Sequence, residues 1–150
     1  MEKVNYFPQE TEFTCGPAVM RMALSSYGID KKEKEIAKRL GTNRVRGTYL
    51  KELPRLAEKY RLNYVVKRNS NLEDLRILDK LNYTIIVCFF DMKSREGHFA
   101  VLKKITNKSI YFWDPYWGPH RKFSLSYFNR IWGLGPHDEP DVRWLFAVKK

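Results

Sequence analysis

The stretch QETEFTCGPA, from Gln9 to Ala18, constrains this chain more than any other. Cys15 stands directly before Gly16-Pro17 and an apolar run, Ala18 to Tyr27, that reads as a helix. Proline is tolerated in a first helical turn, because its missing N–H leaves no bond unmade there. Cys15 is therefore expected at a helix N-terminus, where free backbone N–H groups and the positive end of the dipole favour a thiolate over a thiol. Gln9, six residues upstream, offers a side-chain amide that can donate beside the sulfur. The pair reads as a nucleophile and an oxyanion donor, and it requires a base from elsewhere in the chain.

The sequence has 150 residues, enough for one domain with a proper core. Its 43% hydrophobic and 15% aromatic content rules against disorder. The formal charge of +11 arises from 28 basic and 17 acidic residues. Acids interrupt the basic residues throughout, as Glu33 and Glu35 do between Lys31 and Lys38, so the excess reads as solubility with some steering of acidic ligands rather than as a nucleic-acid site. Cys15 and Cys88 do not form a disulfide framework, and Cys88 lies in YTIIVCFF, a buried-strand pattern that makes it an inert core cysteine. Met1 to Tyr6 is polar and shows no basic n-region with an apolar h-region, so no signal peptide is expected, and the longest apolar run is far short of a membrane span. A cytoplasmic protein in a reducing compartment is expected, without cofactor. With no CxxC or HxxxH, no metal is expected either.

Along the chain, the first helix stops at Gly28, and Asp30-Lys31-Lys32-Glu33 reads as a capping box for a second with Ile36, Ala37 and Leu40 on one face, ending at Gly41. After a polar loop, Thr42 to Gly47, Thr48 is placed to cap a third helix, with Pro54 kinking it or moving its start. Leu62 to Lys67 alternates like a strand, and Asn71 caps a short helix through Leu81. The period then changes: Tyr83 to Phe90 is a strand, Asp91 to Gly97 a loop, and His98 to Ile105 with Ile110 to Asp114 a hairpin around Asn107-Lys108. Pro115 to His120 is a turn-rich connection, Ser126 caps a helical turn through Trp132, Gly133 to Asp141 is a loop, and Val142 to Val148 is the last strand. Helices first and strands second predict an α+β domain over 1–150 with a largely antiparallel sheet.

Of three histidines, His98 follows Gly97 at the start of a strand, where sites open at a sheet's end; His120 and His137 lie in Pro/Gly-rich loops. Asp114 ends the neighbouring strand, where its carboxylate can accept from one ring nitrogen of His98 and leave the other facing Cys15. Simple register counting is less kind. A turn at Asn107-Lys108 sets Asp114 opposite Val101, three residues from His98, so twist or a bulge must close the gap. Each residue alone has a bland reading: a buried cysteine, a histidine closing a strand, a turn aspartate. Their value lies in occurring together.

The segment QETEFTCGPAVMRMALSSYG resembles the N-terminal signature of the bacteriocin-processing cysteine peptidases, the papain-like domains usually fused to ABC transporters that cleave double-glycine leader peptides during export. The segment GHFAVLKKITNKSIYFWDPYWG resembles that family's second signature, and RVRGTYLKELPRLAEKY and YFNRIWG are weaker echoes. The resemblance implies a papain-like α+β fold, N-terminal helices packed on a C-terminal mostly antiparallel sheet. It implies Cys15 as nucleophile, His98 as general acid/base, Asp114 as the orienting residue and Gln9 as oxyanion donor. Thr14 stands where the family often has aspartate. Trp117, Tyr116 and Gly97 are candidates for substrate binding. The implied substrate is a peptide cut after a small-residue pair such as Gly-Gly or Gly-Ala, with an ABC transporter as partner, in trans or in a longer chain. The alternative is a papain-like module that holds such a peptide without cutting it.

Overall fold

The computed structural model describes residues 4–135 and 142–150. Three helices come first: α1 (Cys15–Ser25), α2 (Glu33–Leu40) and α3 (Glu52–Lys59). They are followed by β1 (Asn63–Lys67), α4 (Leu72–Lys80), β2 (Thr84–Asp91), β3 (Glu96–Ile105), β4 (Ser109–Asp114), β5 (Gly118–Ser124), α5 (Leu125–Leu134) and β6 (Leu145–Lys149). The strands form one sheet in the order β1-β6-β2-β3-β4-β5, antiparallel at each pairing, as the α+β reading requires.

Successive side chains of a strand point to opposite faces, and here both faces are covered. Ile86, Cys88, Phe99, Val101, Phe146 and Val148 pack beneath α1, α2 and α3 with Met20, Met22, Ile36, Leu40 and Leu53. Ile85, Val87, Phe89, Ala100 and Phe112 pack on the other face against Leu75 of α4 and Phe128, Ile131 and Trp132 of α5. This is why β2 reads as an unbroken apolar run: all eight of its residues are buried. The far end of α1 is tied to the sheet, where the Tyr27 hydroxyl donates to the Val148 carbonyl at 2.8 Å and the Ser26 and Thr84 hydroxyls share a bond at 3.0 Å.

Two predicted punctuation marks hold. Gly41 adopts φ 67° after α2, and Asn71 forms a reciprocal capping box with Asp74 at α4. Several do not. Lys32, not Asp30, precedes α2 and, with no acceptor on its side chain, makes no cap, while the Glu33 carboxylate accepts the Glu10 N–H at 3.0 and 3.1 Å instead of closing a capping box. α3 begins at Glu52 with Pro54 in its first turn, and Thr48 bonds Thr42 at 2.7 Å instead of capping it. Ser124, two residues before the expected Ser126, caps α5, which runs on through Gly133 and Leu134. The remainder of the expected loop, residues 136–141 and with it His137, lies outside the described residues. The connection after Asp114 is shorter than expected because Gly118–Ser124 is the edge strand β5; with one flank open it lacks the apolar run of β2.

One irregularity matters beyond the fold. The register of β3 on β4 shifts between Leu102 and Lys104: Lys104 faces Tyr111, but Leu102 faces Phe112 and Val101 faces Trp113. Continued, that register sets Asp114 opposite Ala100 rather than Val101. A one-residue shift exchanges the faces of a strand. Without it, Asp114 and His98 would point to opposite sides of the sheet; with it they share one side as a diagonal pair.

Phe128 is fully buried and its ring packs on Phe89, Phe112, Phe123 and Trp132. Phe128→Ala is expected to lower unfolding free energy by about 3–5 kcal/mol in urea titration; a loss below about 1 kcal/mol would show that this face of the sheet is not a packed core.

Candidate active site

Cys15 is the first residue of α1, with Thr14 at the N-cap and no side chain capping the helix. The first backbone N–H groups of such a helix have no partner within it. The Thr14 hydroxyl is folded back on the preceding turn, accepting from the Thr11 N–H at 3.1 Å. Gly16 permits a close approach: a Cβ there would lie 2.4 Å from the Thr48 Oγ1, so only glycine lets the helix tip sit against that loop.

The sheet brings its own groups to this tip. His98, on β3 opposite Phe89 of β2, is buried, with its ring edge-on to the Phe89 ring at 5.8 Å. Its Nε2 lies 2.7 Å from Asp114 Oδ1, which leaves Nδ1 for a second partner, and Cys15 is close enough to bear on the charge of the ring. Burial works against the charged ring, but the hydrogen bonds and charges of Asp114 and Cys15 outweigh it and push the His98 pKa up to about 10. Asp114 is fully buried, and its Oδ1 also accepts the Tyr116 and Trp117 backbone N–H groups, both at 2.9 Å. Burial would raise its pKa; His98, the Trp117 N–H and Arg121 hold it below the ordinary carboxylate value.

Two further residues, which the sequence did not bring forward, complete the buried charges. Arg121 of β5 donates from Nη1 to Asp114 Oδ2 at 2.9 Å and to Asp91 Oδ2 at 3.0 Å, and from Nη2 to Asp91 Oδ1 at 3.0 Å. Asp91, the last residue of β2, also accepts the Trp117 indole N–H at 2.7 Å and the Lys93 backbone N–H at 2.9 Å. The one available signal was parity: Asp91, His98, Asp114 and Arg121 fall on the same side of adjoining strands, as do Phe89, Ala100 and Phe112, but this emerges only once the register is known.

Cys15 lines two cavities. The smaller, of about 170 Å³, is lined by Gln9, Cys15, His98, Tyr116 and Trp117 among others. The larger, of about 350 Å³, has Cys15, Gly97, Phe13, Thr48, Cys88 and Phe99 in its walls. Gln9 thus shares a cavity wall with Cys15, but its Nε2 donates to the Thr11 carbonyl at 2.7 Å. An amide nitrogen has two N–H groups, so one remains. Its backbone is fixed by donation to the Pro115 carbonyl at 2.9 Å. Tyr116 and Trp117 are half-exposed at the mouth and Gly97 is half-buried, while Cys88 is buried as expected. His120 is far from this arrangement in its bonding, with Nδ1 on the Lys103 ammonium at 3.0 Å.

The profile of the Peptidase C39 family matches residues 3–135. The chain belongs to the Peptidase C39 family. No curated protein matches it. Among solved structures, the peptidase domain of Streptococcus ComA, a bi-functional ABC transporter involved in quorum sensing, aligns with a TM-score of 0.76 and 19% identity over 99% of this chain and 100% of that one. A double-glycine-motif protease from an AMS/PCAT transporter, solved with its leader peptide, aligns with a TM-score of 0.72 and 21% identity over 99% and 93%. A Bacillus anthracis protein described as a C39-like peptidase aligns with a TM-score of 0.80 and 16% identity over 99% and 95%. The fold of this C39 chain is therefore papain-like, and its family is one of cysteine peptidases. Among its described residues, no helix is long and apolar enough to cross a membrane.

The raised pKa of His98 has a measurable consequence. An imidazolium held more tightly in the folded chain contributes its full stabilisation below the free value of 6.5 and loses it as pH rises through about 10. Chemical denaturation should show stability falling across that window, and His98→Ala should flatten the fall. An unchanged slope in that variant would contradict the assignment.

Proposed function

We propose that this C39 chain, as one papain-like domain over 1–150, is a cysteine peptidase in which Cys15 is the nucleophile, His98 the general acid/base, Asp114 the orienting residue and Gln9 an oxyanion donor. The observation that supports this reading is the His98 ring, bonded through Nε2 to a buried carboxylate and turned toward a sulfur at a helix tip. The sulfur attacks the scissile carbonyl carbon, and the oxyanion accepts from the Cys15 backbone N–H and the Gln9 amide. The C–N bond breaks as the His98 imidazolium gives its proton to the departing amine, leaving an acyl-thioester. Water, deprotonated by the now neutral His98, attacks that ester; the carboxylate product leaves and the thiolate–imidazolium pair returns.

The substrate proposed is a leader peptide cut after a small-residue pair, Gly-Gly or Gly-Ala. The double-glycine-motif protease solved with its leader peptide supports this, and the transporter origin of two of the similar structures supports an ABC transporter as partner, in trans or within a longer chain. Trp117 and Tyr116 wall one of the two cavities that Cys15 lines and Gly97 the other, and all three are assigned to peptide binding.

The test is cleavage of synthetic peptides bearing a Gly-Gly or Gly-Ala pair, read by mass spectrometry. Cys15→Ala should abolish cleavage, and His98→Ala should lower kcat/KM by about 10³-fold or more. Peptides that bind the wild-type chain and emerge uncut would overturn the reading in favour of a peptide-holding module.

A further inference from the structure

The Asp114 carboxylate is shared. One oxygen serves the His98 ring and two backbone N–H groups; the other meets Arg121, whose two terminal nitrogens also grip both oxygens of Asp91. Neither Asp91 nor Asp114 is exposed, and the Arg121 side chain is about nine-tenths buried. Asp91 Oδ2 also takes the Trp117 indole N–H, and Trp117 walls the smaller cavity beside Cys15 and His98. Resting on the peptidase reading above, we propose that Asp91 and Arg121 are positioning residues of the site: Arg121 fixes the carboxylate that aims His98, and Asp91 fixes both Arg121 and the Trp117 wall.

The physics favours a role beyond packing. Two buried carboxylates cannot both stay ionised at close range without a cation between them. A guanidinium can bridge both at once because its donors form a planar fork; an ammonium cannot do so with the same geometry. Arg121 therefore does two opposing things to Asp114: it keeps the carboxylate ionised for His98, and it takes part of its charge away from the imidazolium. Asp91, on the opposite side, balances Arg121. The other groups around Asp114 are His98 of β3, with Cys15 of α1 behind it, and the Tyr6 hydroxyl of the N-terminal segment, which donates to the Asp114 backbone carbonyl at 2.6 Å. Lys93 of the β2–β3 connection lies over the Trp117 ring at 4.9 Å, on the Asp91 side of the network.

Arg121→Gln, Arg121→Lys and Asp91→Asn/Arg121→Gln, made in the full chain and checked by thermal melting, test this. The readouts are kcat/KM on a cleaved peptide and the rate at which iodoacetamide alkylates Cys15, from mildly acidic to mildly alkaline pH, with the site located by mass spectrometry. In Arg121→Gln the His98 imidazolium is left as the one cation bonded to Asp114 and Asp91 loses its counter-charge, so the acid limb of both profiles should move up by about one pH unit or more. Its plateau should fall about tenfold or more as the ring loses its aim. The double variant removes the second carboxylate, so its limb should return to the wild-type position while its plateau stays low. An unmoved limb in Arg121→Gln, or a double variant whose limb moves further still, overturns the proposal. Should Arg121→Gln fail to fold, Arg121→Lys and the double variant decide: a plateau about tenfold below wild type supports positioning, and a wild-type plateau in either overturns it. Alkylation needs no peptide. A chain that cuts nothing but shows these shifts loses the peptidase reading and keeps the positioning one; a chain that cuts, with unshifted profiles, does the reverse.

Discussion

The site depends on one buried carboxylate. Asp114 has no contact with water, and an isolated charge in that place would be costly to maintain. It persists because donors saturate it: a ring nitrogen, two backbone N–H groups and a guanidinium. Saturation fixes its orientation, and the orientation fixes the ring of His98. The imidazole then has one nitrogen engaged and one available, which is the condition for handling a proton at a defined atom.

Packing brings the two halves of the site together. α1 is locked at its far end by Tyr27 and Ser26 against β6 and β2, and at its near end by the approach of Gly16 to Thr48. The segment before it is tied on both sides, with the Glu10 N–H on the Glu33 carboxylate and the Gln9 N–H on the Pro115 carbonyl. The sulfur is thus held by a helix whose position the core decides, while the imidazole is held by a strand whose register a bulge decides. Neither element alone would place the two atoms together.

The sequence made the chemistry legible where it is encoded locally. Cys15 before Gly-Pro, His98 after Gly97, and Asp114 before Pro115 are each short patterns with a physical meaning. The helix-to-strand change of period gave the α+β layout. What remained hidden depends on through-space pairing. The bulge that turns Asp114 to the side of His98 has no marker in the run VLKKITNKSIYFWD, and the plain count put the two on opposite faces. Asp91 read as the start of a loop and Arg121 received no assignment, because 30 residues separate partners that touch only across the sheet. Caps failed for a related reason: the Glu33 carboxylate was claimed by a distant backbone N–H and the Thr48 hydroxyl by Thr42, tertiary partners that no local motif announces.

The account stands or falls on whether His98 is held as an imidazolium by Asp114 and Cys15. Two-bond proton–nitrogen NMR of the nitrogen-labelled chain reads this directly, through the shifts of both ring nitrogens as pH is raised. The account predicts a His98 ring that stays charged through neutral pH and loses its proton only toward about 10. A ring already neutral at pH 7, titrating near the free value of about 6.5, would contradict it.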